Sequence, residues 1–451
     1  MGNSARFEHF FTEIPSLKSD KSKHLEVLNP VDPVSYRALV KAVARVDSDE
    51  HSKGGASMKS LNGPTAARAG RDGRALAFGA APGFPLVVEI AVHNGPISGI
   101  ATSPDGTRLL VTNNGHDSVS VIDTDTCRVV ETIAGLTEPF AIAMGREDAD
   151  RAYVSTVATA YDSIAVIDVP TNTVVATHPL ALSVSDLVVS PDGRYVYAGR
   201  NGAGVADVAV LDTTTDRVHT IEVATTPGTT TACVRVSSDG ARLYVGTNGP
   251  AGGRLAVIGA HPQSGEARAG RASRRRKRPA RPRGNAKQTG VRVIDTIEIG
   301  LPVRDVALSP DGAIAYVASC APESGAVIDV IDTRTNKIIG TRKIGEIDGI
   351  LTGLTLSGDG DRAYLVSDDS ITVLSTLTRD VVGTVTVTDQ PSCVVESPDA
   401  KYLYIADYSG VVTVAPVASI VALGIENTAP ETQIPAEWVL PELPQYEPAL
   451  A

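Results

Sequence analysis

From about residue 85 to residue 425 the apolar positions do not recur at helical spacing. They fall into short alternating or continuous runs of β-branched residues, broken every few positions by Gly, Asn, Asp or Pro. Gly99-Ile100-Ala101-Thr102 is one such run, and it leads into Ser103-Pro104-Asp105-Gly106. Two further apolar runs follow at Arg108–Asn113 and Ser118–Asp123, then Arg128-Val129-Val130. The pattern predicts four short strands joined by tight turns. Ser-Pro-Asp-Gly suits the first turn because Pro presets φ, Asp can bond a nearby amide, and Gly tolerates positive φ.

The unit repeats. The turn Asp recurs at Asp105, Asp148, Asp192, Asp239, Asp311, Asp359 and Asp399, and five residues later stand Leu110, Tyr153, Tyr197, Tyr244, Tyr316, Tyr364 and Tyr404. The intervals are 43, 44, 47, 72, 48 and 40, and the long one falls to about 44 once a basic insertion is set aside. One four-stranded sheet cannot bury both faces, so seven copies must stack, and a closed ring leaves no long edge. The expected fold is all-β: a seven-bladed β-propeller of four-stranded antiparallel blades, with the recurring Tyr between blades. Either Leu86–Ile90 or Ser419–Leu423 could supply the outer strand of the last blade, and the register of the first favours the N-terminal segment.

Tyr244-Val245-Gly246-Thr247-Asn248, Leu110-Val111-Thr112-Asn113-Asn114 and the Val-Ile-Asp endings at 121–123, 166–168 and 330–332 resemble the YVTN family of β-propellers. The resemblance implies the seven-bladed fold. It implies no single function, because the related propellers include surface-layer-type, periplasmic, DNA-binding and quinoprotein-like proteins. The second copy departs most, with Gly145-Arg146-Glu147-Asp148 at the turn, and the sixth and seventh end in Leu374-Ser375 and Ala415-Pro416.

The organisation expected outside the ring is an N-terminal extension over 1–50, a Gly/Ala/Ser/Arg-rich flexible linker over 51–84, and a tail over 426–451. Within the extension, Asp32-Pro33 precedes a plausible short helix running to Val46. The tail carries five Pro, five Glu and the single Trp438, and reads as an extended, acidic segment, either a docking peptide or a tail lying along its own domain.

Composition is that of a globular chain, 42% apolar and 21% charged. No apolar run resembles a signal-peptide core or a membrane span, so a cytoplasmic monomer with no transmembrane segment is the expectation. The net charge of -11 conceals residues 262–292, which hold eleven Lys or Arg and one Glu. Arg274, Arg275, Arg276, Lys277, Arg278, Arg281 and Arg283 are therefore candidate phosphate-binding residues, for nucleic acid or an anionic surface. The insertion, about 262–290, interrupts the fourth blade between its third and fourth strands. That places it on the face opposite the mouth described next.

In a propeller the loops joining second to third strands, and each blade to the next, gather at one mouth of the channel, where function usually sits. Here they supply Asn113, Asn114, His116, Asp117, Asn201, Asn248, Glu323, Asp368 and Asp407, with Glu138 between blades. Such a polar, partly acidic ring suits a protein or small-molecule ligand, and turn geometry alone would also select these residues. The eight His show no metal-ligand spacing, Cys127, Cys233, Cys320 and Cys393 are too far apart for a CxxC site, and Cys233 and Cys393 sit in apolar strand patterns. No GxSxG, P-loop or dinucleotide fingerprint is present, so no catalytic residue, metal or cofactor is assigned. The expected function is non-enzymatic binding or scaffolding at the mouth. Binding of DNA or an anionic surface by the basic insertion is the alternative, and a lactonase-like or quinoprotein-like enzyme comes last.

Overall fold

The computed structural model describes residues 88–92, 94–145, 150–157, 161–202, 205–260, 292–347, 349–387 and 390–418. The N-terminal helix and linker, the basic insertion, the alternative closing strand at Ser419–Leu423 and the acidic tail lie outside the described residues.

Seven four-stranded antiparallel sheets are present, each ordered as four successive strands of the chain except the last. In blade 1 these are Ile97–Thr102, Arg108–Asn113, Ser118–Asp123 and Arg128–Ala134, running from the channel outwards. The remaining innermost strands are Ile142–Met144, Ser183–Val189, Thr230–Val236, Val303–Leu308, Leu351–Leu356 and Pro391–Glu396. Blade 2 begins with the shortest of them, where the turn sequence departs from the repeat. Blades 6 and 7 are complete despite their altered endings.

Blade 7 takes its outer strand from the other end of the chain. Val88–Ala91 pairs with Val411–Pro416 in the register Val88↔Val414 to Ala91↔Val411. The N-terminal segment therefore closes the ring, as its register suggested.

All seven residues at the recurring aromatic position are buried, from Tyr197 and Tyr364 at 0% to Tyr316 at 7% exposure. Each buried aromatic contributes about 2–3 kcal/mol through lost apolar hydration. Seven core clusters join neighbouring blades, and one contains Tyr404, Val412 and Ile90 of blade 7 with Ile97, Leu109 and Val111 of blade 1.

The recurring turn is closed by its own side chains. The Ser hydroxyl donates to the Asp carboxylate at 2.5–2.7 Å in the turns beginning at Ser103, Ser190, Ser237, Ser309, Ser357 and Ser397. The same hydroxyl accepts the N–H five residues on at 2.9 Å in each turn. On that same face, Asp123, Asp212 and Asp332, at the ends of third strands, accept backbone N–H groups of the following turn. The most repetitive residues thus serve the face away from the mouth.

Candidate functional site

The seven innermost strands surround a channel cavity of about 310 Å³, to which every blade contributes. Counting back from the first residue of each turn gives its lining. Five residues back stand Ser98, Phe140, Ser185, Ala232, Arg304, Thr352 and Ser392, and four back stand Gly99, Ala141, Asp186, Cys233, Asp305, Gly353 and Cys393; all fourteen line the cavity. This double ring was not among the residues singled out in the sequence, although the repeat offset that places the buried Tyr places it too.

A β-bulge occurs at the first of these levels in six blades, since the register shifts between Ile97 and Gly99, Val184 and Asp186, Thr231 and Cys233, Val303 and Asp305, Leu351 and Gly353, and Pro391 and Cys393. A bulge re-aims the extra residue's side chain. Three of the bulged hydroxyls donate to carbonyls of their own second strand: Ser185 to Gly199 at 3.2 Å, Thr352 to Val366 at 3.2 Å and Ser392 to Ala406 at 3.1 Å. Ser98 lies within donating distance of the Pro139 and Phe140 carbonyls of the connection into blade 2, at 3.1 and 3.2 Å, and shares a hydrogen bond with the Thr112 hydroxyl at 3.0 Å, as Ser185 does with Thr231 of blade 4 at 2.9 Å.

Asp186 and Asp305 of the second level form a charge chain with Arg235 across three blades. Arg235 donates to Asp186 and to Asp305 at 2.5 Å each. Asp186 also accepts Val234 N–H at 2.9 Å, and Asp305 accepts Leu354 N–H at 3.0 Å and Val306 N–H at 2.7 Å. Burial opposes the Arg235 charge, but Asp305 and Asp186 outweigh it and hold the guanidinium above its ordinary value. Burial raises the Asp305 carboxyl, with Arg235 pulling the other way. Cys233 and Cys393 both face this level as free thiols, the first buried and the second half-buried. Burial raises both, Cys393 to about 12, so neither supplies a thiolate at neutral pH.

The residues expected at the mouth divide into two groups. Asn113, Asn201 and Asn248 lie within strands and are buried, because hairpin pairing continues further than the turn signals indicate. Asn201 clips blade 3 to blade 4: its carbonyl accepts Thr231 N–H at 2.6 Å and its amide donates to Thr231 O at 3.1 Å. Asn248 does the same to Val303 at 2.7 and 2.9 Å, joining blades 4 and 5. Asn114, at the same place in the repeat, donates to Pro139 O at 3.2 Å. Asn113 donates to Ser118 and Ser120, and the buried Asp407 accepts three donors from Ser409 and Val411 that shape its turn. Asp368 is half-buried, its carboxyl raised by burial, and accepts Ile350 N–H at 3.0 Å.

His116, Asp117 and Glu323 are exposed and Glu138 is half-buried; Asp369, next to Asp368 and not among the expected residues, is exposed too. Asp117 accepts the Glu138 N–H at 2.7 Å, joining a blade-1 turn to the connection into blade 2. One oxygen of the Asp117 carboxylate, beside His116, is thus engaged by backbone. Among the described residues no group of three or more His, Cys, Asp or Glu is arranged to hold a metal ion. Among them, too, no helix is long and apolar enough to cross a membrane.

The seven basic candidates, Arg274, Arg275, Arg276, Lys277, Arg278, Arg281 and Arg283, lie outside the described residues, but the stem that carries them is described. Gly259 N–H donates to Arg292 O at 3.2 Å, and Ala260 N–H to Ala241 O at 2.9 Å beside the blade-4 turn. The described residues on either side of the insertion, Ala260 and Arg292, thus lie on the face opposite the mouth.

No protein-family model matches the chain. It is 60% identical over 395 residues to the seven-bladed β-propeller protein Rv1057 of Mycobacterium tuberculosis, covering 87% of this chain and all of the relative. A seven-bladed β-propeller protein of Mycolicibacterium smegmatis is 36% identical over 169 residues, 38% of this chain and 45% of that protein. Among solved structures, a chain of the Kuenenia stuttgartiensis hydrazine synthase superposes with a TM-score of 0.59 at 20% identity, covering 77% of this chain and all of that one. The last likeness shows the fold alone.

Proposed function

The chain belongs to the family of seven-bladed β-propeller proteins that includes its Mycobacterium tuberculosis relative, and on that footing we propose that it is a non-enzymatic binding or scaffolding propeller that engages a protein or small ligand at the channel mouth. Within propellers we assign its repeats to the YVTN type. The observation that carries the proposal is the division of polar residues between the two faces. Those that repeat in six of the seven blades close turns away from the mouth, whereas the exposed His116, Asp117, Glu323 and Asp369 and the channel lining differ from blade to blade. Unrepeated polar groups on a rigid repeated scaffold are what a specific binding surface needs.

The test uses exposed rim positions, because Asn113, Asn248 and Asp407 hold the fold. Partners captured by the wild-type chain should be lost by the combination His116→Ala, Glu323→Ala and Asp369→Asn, with the unfolding midpoint unchanged. Identical capture by both proteins removes the mouth as the binding surface.

A second reading rests on the stem at Gly259 and Arg292, from which a segment departs whose sequence over 262–292 holds eleven Lys or Arg and one Glu. It makes the insertion a separate, salt-sensitive contact for nucleic acid or an anionic surface. DNA affinity that neither falls with added salt nor changes on deleting residues 262–290 would dismiss it.

A further inference from the structure

We infer that the outer rim of blades 4 and 5, at the face opposite the mouth, docks on an anionic lipid surface through Ile294, Ile338 and Ile339, with Arg292, Arg334 and Lys337 meeting the headgroups. The inference rests on the second reading above and chooses, between its two partners, the lipid.

It starts from the outer strands, Val293–Gly300 in blade 4 and Lys337–Ile344 in blade 5. Each carries a β-bulge, because Val257 pairs with Asp295 and Ile258 with Val293, while Val330 pairs with Gly340 and Ile331 with Ile338. The extra residues are Ile294 and Ile339, which are 54% and 52% exposed. Ile338 stands opposite Ile331, which packs in the cluster shared with blade 4, so it faces that blade too, and it is 39% exposed. Asn336, in the turn before Ile338, donates to Asp295 beside Ile294 at 3.0 Å and joins the two strands. The isoleucines therefore share one corner of the molecule. A bulge shields an unpaired sheet edge whatever side chain it carries, and a charged one shields it better. Isoleucine there leaves apolar surface in water, a cost that a lipid surface removes.

Charge selects the kind of surface. Arg292, Arg334 and Lys337 are all exposed. Of the carboxylates in the same strand and turn, Asp295 accepts Asn336 and the Thr296 N–H, and Asp332 accepts the N–H groups of Arg334 and Thr335 at 2.9 and 2.8 Å. The sequence that enters this corner adds cations, with eleven Lys or Arg, Arg292 among them, and one Glu over 262–292. The same bulge recurs at Val130 and Val175, 49% and 51% exposed, but there Arg128 is the only cation between Asp123 and Val130, and none lies between Asp168 and Val175. Cations beside exposed aliphatic side chains are the two signals that together hold a protein at an anionic membrane. Nucleic acid offers the isoleucines nothing to enter, and neither outer strand carries an aromatic ring to stack on a base. Docked in this way, the mouth faces away from the lipid.

Flotation of the full chain is measured with vesicles of phosphatidylcholine alone and of phosphatidylcholine mixed equally with phosphatidylglycerol, at low and high salt, beside its affinity for a mixed-sequence DNA duplex. Binding to the mixed vesicles and not to the neutral ones is expected, and salt should weaken it. Ile294→Ser with Ile339→Ser should weaken it about tenfold or more through the apolar area lost, at an unchanged unfolding midpoint. Val130→Ser with Val175→Ser should bind as the wild type does, and Arg334→Gln with Lys337→Gln should bind severalfold more weakly. A wild-type chain that does not float with the mixed vesicles overturns the assignment, whether or not it binds DNA, and so does equal flotation by the folded isoleucine variant. The second reading is judged separately: it falls only when deleting residues 262–290 changes neither vesicle nor DNA binding.

Discussion

At position 400 the repeat carries Ala where five other described turns carry Gly, and its φ is +58°. A Cβ in the left-handed region is strained by roughly 1 kcal/mol or more, so Ala400→Gly should stabilise the protein by about 0.5–1 kcal/mol after the entropic cost of glycine is subtracted. Chemical denaturation measures this. The converse holds at Gly360, where φ is +79° and an added Cβ would lie 2.6 Å from Pro310; Gly360→Ala should lower the midpoint. The turn carboxylates Asp105, Asp239, Asp311, Asp359 and Asp399 are held below their ordinary value of 3.8, first by the Ser hydroxyl, and Asp399 lies near about 2. A lowered folded value means stabilisation that is complete above the ordinary value and lost as pH falls through the lowered one. Melting temperatures should therefore fall between about pH 4 and pH 2, and Asp399→Asn should make that fall shallower. An unchanged slope would show that this turn does not contribute.

Between elements, side chains replace strand pairing where the sheets themselves stop. Asn248 offers its amide to both backbone groups of Val303 in the next blade. Asn248→Ala leaves those groups unpaired in a buried place and should cost about 1–3 kcal/mol, read as a lower denaturation midpoint. The Asp186–Arg235–Asp305 chain behaves more severely, because removing the cation leaves two partly buried carboxylates facing each other. Arg235→Ala is expected to destabilise by about 3 kcal/mol, and lowering the pH to neutralise Asp305, already raised by burial, should recover part of the loss. Neither contact is visible in the chain as written: residues 235 and 305 are 70 positions apart, and only the bulges turn both towards one axis.

Over the whole molecule, stability depends on closing the ring with a four-residue strand from the opposite end of the chain. Deleting residues up to Ala91 exposes the edge of Val411–Pro416 and uncovers the cluster shared by blades 7 and 1. The truncated chain should lose its single cooperative transition or melt well below the intact protein, and an unchanged calorimetric profile would deny the strand that role. The number of blades, the four strands of each and the burial of the recurring Tyr were all legible, because each follows from a local period that any sheet with two apolar faces must satisfy by stacking. The turn offset even contained the channel lining, at the fifth and fourth positions before each turn. What the chain alone left open was the use of its polar residues. Asn201, Asn248 and Asp407 read as ligands in one dimension and are structural in three, whereas Arg304 and the bulged hydroxyls read as ordinary strand residues and face the cavity. Local pattern determines which backbone pairs form; which side chains keep hydrogen-bonding capacity for another molecule is settled only when seven separate strands are brought around one axis.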